Sequence, residues 1–258
     1  MTLLVCVFAF IGSSAGAFPL TPAVTHGDFA YYTLALTWQP GICATDEGCR
    51  PDQPKGEPIG LHGLWASLPR TLVAAGVTPE QWRQRGCDLV RHSDAEPVLD
   101  PALKRRLGDV TPHFADDLLA REYDKHVQCF GFDPNQFFEN ELALRERVVN
   151  SAFGDYVVSQ QGRDVAHSDM VAAFRSAYST SNGTALQLRC GADATGQWVL
   201  TQIWISVPAD RLDLFPLPSA LVDAPIDQDT CPLIFHVSAW PGPPALPKSR
   251  KHGRRTVS

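Results

Sequence analysis

Two short segments of the chain hold residue types that suit acid–base chemistry. The first is Gly-Leu-His-Gly-Leu-Trp at 60–65, which contains His62, and the second is Glu-Tyr-Asp-Lys-His at 122–126. Histidine is the side chain that is readily half protonated near neutral pH, and moving a proton off one oxygen and onto another requires two such groups. His62 and His126 are the candidates, and Lys125 offers a positive charge beside them.

The spacing in the second segment places these groups on one face of a helix. Glu122 and His126 are four residues apart, and Lys125 is three residues after Glu122. Taken alone, the spacing also fits a solvated face with salt bridges. If the two segments share one site, they supply an acid, a base and a charge stabiliser for phosphoryl transfer without a metal ion.

The elements that must position these residues are strands at both ends of the chain and helices in the middle. Predicted strands cover 31–38, 59–61, 185–190, 197–207 and 233–237. The strand at 59–61 would place His62 at its end, and the runs at 185–190 and 197–207 predict an antiparallel pair. The pattern predicts an α+β fold in which several helices pack against a central antiparallel sheet.

Five capping signals predict helices. They lie at Thr78-Pro79, Asp100-Pro101, Thr111-Pro112, Asp133-Pro134 and Ser168-Asp169. The third helix is predicted to run from Thr111 to about His126, and the fifth is predicted to cover Met170 to Tyr178.

Residues 1–17 form an apolar run that ends in Ala15-Gly16-Ala17, which fits an A-x-A cleavage site. We expect a secretory signal peptide, and a buried N-terminal strand or helix is the alternative. No other stretch has the ~20 apolar residues of a membrane span.

Cleavage after Ala17 would leave an even set of six cysteines: Cys43, Cys49, Cys87, Cys129, Cys190 and Cys231. Disulfides persist in oxidising compartments, so export and an even count support each other. Six cysteines allow 15 connectivities, and spacing alone selects none. None forms C-x-x-C, and no Cys/His cluster has zinc spacing, so no structural metal is expected.

The basic residues concentrate at the C-terminal end. The segment 241–258 holds five of the 22 Lys and Arg residues and no acid, which leaves 17 basic against 28 acidic residues in the rest, a net charge of −11. A body this acidic is not a general polyanion-binding surface, so chemistry on a nucleic acid needs a local positive site. The Pro-rich start and basic end of 241–258 predict a disordered tail. It is either a solvated terminus or an arm that attracts RNA or a membrane surface.

These motifs resemble the two active-site segments of the ribonuclease T2 family. Leu-His-Gly-Leu-Trp at 61–65 is similar to the first segment, and 122–126 followed by Cys129 is similar to the second. The strand Thr-Trp-Gln-Pro, then Trp82 and Cys87, and finally Lys-His-x-x-Cys-Phe-Gly-Phe-Asp-Pro occur in the family's order. The likeness runs from about Tyr31 to Val237 and is greatest to the bacterial periplasmic ribonuclease I branch.

The resemblance implies one catalytic domain over 18–240, with no cofactor. It implies the disulfides Cys43–Cys49, Cys87–Cys129 and Cys190–Cys231. In such enzymes one histidine takes the proton from the ribose 2′-hydroxyl, which attacks the phosphorus, and the other protonates the departing 5′-oxygen. By similarity His126 is the base and His62 the acid, and a 2′,3′-cyclic phosphate is formed.

The resemblance also assigns roles to the charged neighbours. Lys125 would offset the charge that grows on the phosphoryl oxygens. Glu122 would orient Lys125 or a histidine, or would hydrogen-bond the phosphate while protonated. Arg121 would bind phosphate or point to solvent. Trp65 offers an aromatic face to a base or ribose. Alternatively, Trp65 packs within the protein and does not contact the substrate.

Several positions depart from the family's pattern. Leu118, Leu119 and Arg121 replace the aromatic pair and the extra histidine that often precede the glutamate. Ala66 replaces the usual proline after His-Gly-Leu-Trp, Val127 replaces the glycine after Lys-His, and Ser67 replaces an acidic residue that recognises the base in many eukaryotic members. Base preference therefore does not transfer to this chain.

The prediction is a secreted or periplasmic, metal-independent endoribonuclease with little base specificity. Its expected partner is single-stranded RNA, and a monomer is the default expectation. The alternative is an RNA-binding or toxin-like member of the same fold with weakened catalysis. A hydrolase of another class, based on Glu122, lacks a second carboxylate that the sequence singles out.

Overall fold

The computed structural model describes residues 27–45, 48–93, 95–113, 117–225 and 227–240. The predicted signal peptide at 1–17 and the tail at 241–258 lie outside these residues. The strands in the described part are β1 (Tyr31–Trp38), β2 (Ile59–Ala66), β3 (Arg163–Ala166), β4 (Leu186–Ala192), β5 (Trp198–Pro208) and β6 (Ile234–Val237). The helices there are α1 (Gln39–Ile42), α2 (Arg70–Ala74), α3 (Pro79–Arg85), α4 (Pro101–Val110), α5 (Leu118–His126), α6 (Pro134–Val149), α7 (Ala152–Ser159) and α8 (His167–Tyr178).

The strands form one sheet in the order β2-β1-β5-β6-β3, and β4 also pairs with β5. The pairs are antiparallel except for β5 and β6, which meet in parallel at Val199 and His236. The α+β fold and the antiparallel β4–β5 pair are confirmed. The central antiparallel sheet is confirmed apart from this one parallel contact.

The core lies where the helices cover the sheet. Strand β1 is buried along most of its length because β2 and β5 flank it. Helix α6 presents several fully buried apolar side chains to this core: Phe137, Phe138, Leu142, Leu144 and Val148. Aliphatic and aromatic residues therefore fill the space between the sheet and the helix, and their burial is the main stabilising contribution to such a fold.

Local capping signals explain why several helices begin where they do. Thr78 caps α3 with a capping box, because its hydroxyl accepts the N–H of Gln81 while the Gln81 side chain accepts the N–H of Thr78. Asp100 and Asp133 cap α4 and α6 in front of a proline, as predicted. Helix α8 ends at Tyr178, also as predicted, but the predicted start was wrong. The helix begins at His167, and its N-cap residue Ala166 makes no side-chain cap.

The prediction was wrong for the start of the third helix. Thr111 ends α4 because its backbone is extended, with φ −92° and ψ 147°, and its N–H and hydroxyl donate the last bonds to the Leu107 carbonyl. Pro112 disfavours a helical conformation for Thr111, so this dipeptide stops a helix instead of starting one. Helix α5 begins at Leu118, where Asp117 accepts the N–H of Ala120.

The prediction was also wrong for the strand before His62. Strand β2 continues to Ala66, so His62 lies within it instead of at its end. Pairing with β1 extends the strand through Trp65 and Ala66. Sequence patterns also missed α1, α2, α7 and β3, of which α1, α2 and β3 are only four or five residues long.

The structure forms the three disulfides that the resemblance implies, Cys43–Cys49, Cys87–Cys129 and Cys190–Cys231. The Cys87–Cys129 bond joins the 3₁₀ turn after α3 to the 3₁₀ turn after α5. It closes a loop with a sequence separation of 42 residues, which the chain-entropy treatment values at roughly 4 kcal/mol. None of the helices in the described part of the chain has the length and hydropathy of a membrane span.

Candidate active site

A β-bulge in β2 carries His62. Gly63 lies opposite Ala35 of β1 and Leu61 lies opposite Leu36, so His62 is the extra residue without a partner across the strands. Bulges re-aim side chains and often occur beside active sites. The His62 side chain is 12% exposed, and its buried Nδ1 atom has no hydrogen-bond partner among the described residues.

The carboxylate of Glu122 lies between the two histidines. Its Oε1 atom is 3.5 Å from Nε2 of His62, and its Oε2 atom is 3.7 Å from Nε2 of His126. All three side chains are largely buried. The structure therefore brings the two sequence segments together, with β2 supplying one histidine and α5 the other.

Trp65 connects the same two segments. Its Nε1–H donates a 2.7 Å hydrogen bond to Oε2 of Glu122. The bond passes directly over Gly63, where a Cβ atom would lie 2.7 Å from the indole nitrogen. The glycine after His62 is therefore required by the close approach of Trp65, which gives a physical reason for the sequence His-Gly-Leu-Trp.

The Trp65 ring also packs within the site. Its centroid is 5.3 Å from that of His62, 5.3 Å from that of His126 and 5.1 Å from that of Trp204. The packing interpretation of Trp65 is thus realised in the structure. The same residue also lines an adjoining groove, where a face of the indole can meet a ligand.

Burial and the neighbouring charges shift the pKa values of Glu122 and His126, which both lie on α5. Burial would raise the pKa of Glu122, but the contacts with His62, the charge of His126 and the hydrogen bond from Trp65 outweigh it and lower this pKa to about 2. Burial lowers the pKa of His126 to about 4, against the opposing effect of Glu122. Near neutral pH, Glu122 is ionised and His126 is neutral.

Lys125 and Arg121 place positive charge around this cluster. Both charges contribute to lowering the pKa of His126. Lys125 is partly buried, and its carbonyl packs so closely on Gly86, which has a φ of 52°, that a Cβ there would lie 2.0 Å from the oxygen. The Arg121 side chain is 48% exposed, with Nε 3.8 Å from Oε1 of Glu122, so it stands at the rim of the site.

A groove of about 650 Å³ opens beside His126. Three tryptophans line it, Trp65, Trp82 and Trp204, together with Tyr31. The Arg189 guanidinium lies 4.8 Å above the Trp204 ring. This combination of flat aromatic faces and a nearby cation can accommodate a planar ring.

Sequence reasoning missed Trp204 and Arg189 as neighbours of the site. The available signal was the alternation along β5, where Ile203 and Ile205 face the core and the intervening Trp204 is only partly buried. Arg189 reaches it from β4, where it lies opposite Gln202 of β5. Their proximity to Trp65 depends on the sheet order, which no local pattern contains.

The departures at Ala66, Val127 and Ser67 are accommodated without backbone strain. Ala66 continues β2, and its carbonyl accepts the indole N–H of Trp82 at 2.9 Å. Val127 adopts φ −129° and ψ −44°, outside the left-handed region, and its side chain is buried in the core. The Ser67 hydroxyl accepts the backbone N–H groups of Ala30 and Tyr31, both at 3.1 Å.

Comparison with known proteins gives consistent matches. The sequence profile of the Ribonuclease T2 family matches residues 29–217. Ribonuclease I of Escherichia coli (strain K12) is 32% identical over 226 residues, which cover 78% of this chain and 83% of that protein.

Two solved structures share the fold. The crystal structure of RNase NT in complex with 5′-AMP has a TM-score of 0.56 at 16% identity, covering 83% of this chain and all of that one. Ribonuclease MC1 from the seeds of bitter gourd has a TM-score of 0.55 at 18% identity, with coverage of 81% of this chain and 100% of that one. Together with the matched profile and the bacterial relative, these likenesses show that the chain belongs to the ribonuclease T2 family.

Proposed function

We propose that this protein is a metal-independent endoribonuclease that cleaves single-stranded RNA through a 2′,3′-cyclic phosphate. The observation that carries the proposal is the placement of Glu122 within 3.5 Å of His62 and 3.7 Å of His126. One carboxylate thus holds two imidazoles, which are the acid and base that transesterification requires.

His126 suits the role of base. Its lowered pKa keeps the imidazole neutral near neutral pH, so it can accept the proton of the ribose 2′-hydroxyl. The 2′-oxygen then forms a bond to phosphorus while the bond from phosphorus to the 5′-oxygen breaks. His62 donates a proton to that leaving oxygen, which yields the cyclic phosphate and a new 5′-hydroxyl.

Charged neighbours support the transition state in this scheme. Lys125 offsets the negative charge that develops on the non-bridging phosphoryl oxygens. Ionised Glu122 orients both imidazoles, and its low pKa argues against the alternative in which a protonated Glu122 bonds the phosphate. Arg121 at the rim is positioned to meet phosphate from solvent.

The groove beside His126 is the proposed binding region for a base. Its tryptophan faces provide stacking, which is tolerant of base identity. The Ser67 hydroxyl oxygen accepts two backbone N–H groups, so its acceptor positions are already occupied within the protein and cannot accept a hydrogen bond from a base. We therefore propose little base specificity.

The proposed location is the bacterial periplasm or the exterior of the cell. Three disulfides are typical of proteins that fold in oxidising compartments. The proposed signal peptide at 1–17 agrees with this location, and 18–240 would form the mature catalytic domain.

Purified protein should cleave total RNA in the presence of EDTA and leave 2′,3′-cyclic phosphate ends. A matched strand with 2′-deoxyribose should stay intact because it lacks the nucleophile. His126→Ala should abolish cleavage, whereas His236→Ala, which changes a histidine paired with Asp164 away from the site, should not. Intact RNA with the wild-type protein at every pH from acid to neutral would refute the proposal and favour the RNA-binding alternative.

A further inference from the structure

Helix α6 covers the open edge of the strand that carries His62. Strand β2 ends the sheet and pairs only with β1 among the described residues. An edge strand leaves half of its backbone N–H and C=O groups without a partner in the sheet. Buried groups of this kind need partners from elsewhere.

Two polar residues of α6 supply partners to this edge. The backbone N–H of Leu64 lies within reach of the Glu141 carboxyl group and lowers its pKa against the larger effect of burial. The Arg145 Nε–H donates a 2.8 Å hydrogen bond to the carbonyl of Ile59. Glu141 and Arg145 are four residues apart, so they share one face of the helix. They hold β2 at one point before His62 and at another point after it.

The burial of these two side chains is unusual for charged residue types. Glu141 is 2% exposed and Arg145 is 5% exposed. Burial raises the pKa of Glu141 well above its ordinary value. Burying ionisable groups costs free energy unless they make specific hydrogen bonds, and the apolar residues of α6 already fill the core. Glu141 and Arg145 therefore supply what apolar side chains cannot, which is hydrogen-bond partners for the backbone groups at the open edge of β2.

The part of β2 that needs additional contacts is the segment around His62. The bulge interrupts the pairing with β1 at His62, where the strand is held least by its neighbour. Leu64 lies directly beside Trp65, whose indole bonds to Glu122. A shift of β2 at this point would move both His62 and Trp65 relative to Glu122.

We propose that Glu141 and Arg145 are positioning residues, which clamp the open edge of β2 so that His62 is aimed at the site beside Glu122. The catalytic consequence rests on the proposed function of His62.

Kinetics of three variants test the clamp. Glu141→Leu removes the acceptor for Leu64 and should lower kcat by about 100-fold, the effect of a displacement near 1 Å, with KM nearly unchanged. Glu141→Gln keeps an acceptor oxygen and should restore most of kcat. Glu139→Gln is the matched control, because Glu139 is on the same helix and forms an exposed pair with Arg106. Wild-type kcat in Glu141→Leu, or an equal loss in Glu141→Gln, would overturn the proposal.

A second readout is independent of RNA cleavage. The imidazole NMR signals of His62, assigned with His62→Ala, should shift in Glu141→Leu, whereas those of His236 should not. Arg145→Met tests the other end of the clamp and should shift the same signals, which keeps the test decisive if Glu141→Leu does not fold. Unchanged His62 signals in folded variants would overturn the clamp. Failure of the wild-type protein to cleave RNA would instead refute the proposed function alone.

Discussion

The indole nitrogen of Trp65 donates a 2.7 Å hydrogen bond to Oε2 of Glu122, which joins the strand segment to the helix segment across 57 residues of sequence. The same carboxylate contacts both histidines. Trp65 is thus a link between β2 and α5 as well as a wall of the groove. A hydrogen bond to a charged group in such a setting contributes about 1.5–3 kcal/mol.

Trp65→Phe should lower kcat/KM for single-stranded RNA by about 10- to 100-fold, because the ring remains while the hydrogen bond to Glu122 is lost. Trp198→Phe is a suitable control, since Trp198 is 48% exposed at the start of β5. Steady-state kinetics on a short oligonucleotide would measure both. Equal activity of Trp65→Phe and wild type would show that the bond does not support the site.

The pH profile of kcat/KM should reflect the proposed base. In the proposed mechanism His126 must be neutral to accept a proton, and its pKa is lowered to about 4. Activity should therefore fall as the pH drops through about 4, and not through 6.5. Lys125→Met removes a charge that lowers the pKa of His126, so the acid limb should move to higher pH and kcat should decrease. Asp124→Asn, an exposed change on the same helix, should leave the limb in place.

Glu122→Gln should move the same limb in the opposite direction. The carboxylate raises the pKa of His126, so its removal should lower that pKa further and extend the acid limb to lower pH. The variant should also have a lower kcat, because the imidazoles lose their shared anchor. An acid limb that moves to higher pH would contradict this account of the electrostatics.

Protein stability should decline on acidification because of His126 and Glu122. The unfolded chain protonates His126 near 6.5, whereas the folded protein does so near 4, so stability contributed by neutral His126 is complete above 6.5 and is lost as the pH falls towards 4. This contribution is of order 3 kcal/mol. Glu122 adds a second loss between its ordinary value of 4.5 and about 2.

Urea unfolding at several pH values between 4 and 7 would measure this dependence. His126→Gln should flatten the free energy of unfolding over that range relative to wild type. His236→Gln serves as the control outside the site. An identical slope in His126→Gln and wild type would show that the burial of His126 does not couple to folding.

Val127→Gly would restore the glycine of the family's pattern, but we expect it to improve neither stability nor kcat. Val127 is 2% exposed and its backbone is not in the left-handed region, so glycine would remove buried side-chain area and add freedom to the unfolded chain. We expect the free energy of unfolding to fall by about 2–4 kcal/mol, with no gain in kcat. Thermal unfolding and kinetics of the variant check both. A more active variant of equal stability would contradict the fit of Val127.

Local signals allowed the sequence to determine several elements. The capping box at Thr78 and the aspartates before Pro101 and Pro134 define helix starts through contacts within three residues. The one-turn spacing of Glu122 and His126 is likewise a local property. The dipeptide Thr111-Pro112 was misread because a residue before proline is compatible with the end of a helix as well as with the approach to a new one.

The tertiary structure alone decided how these pieces form a site. The bulge that aims His62 depends on its register with β1, and the approach of Trp204 depends on the order of strands in the sheet. The edge contacts of Glu141 and Arg145 join α6 to a strand about 80 residues earlier. The sequence by itself determined which side chains are candidates for the chemistry and which share a helical turn, because those properties are local. Packing decided their distances, burial and pKa values, because these depend on groups that are far apart along the chain.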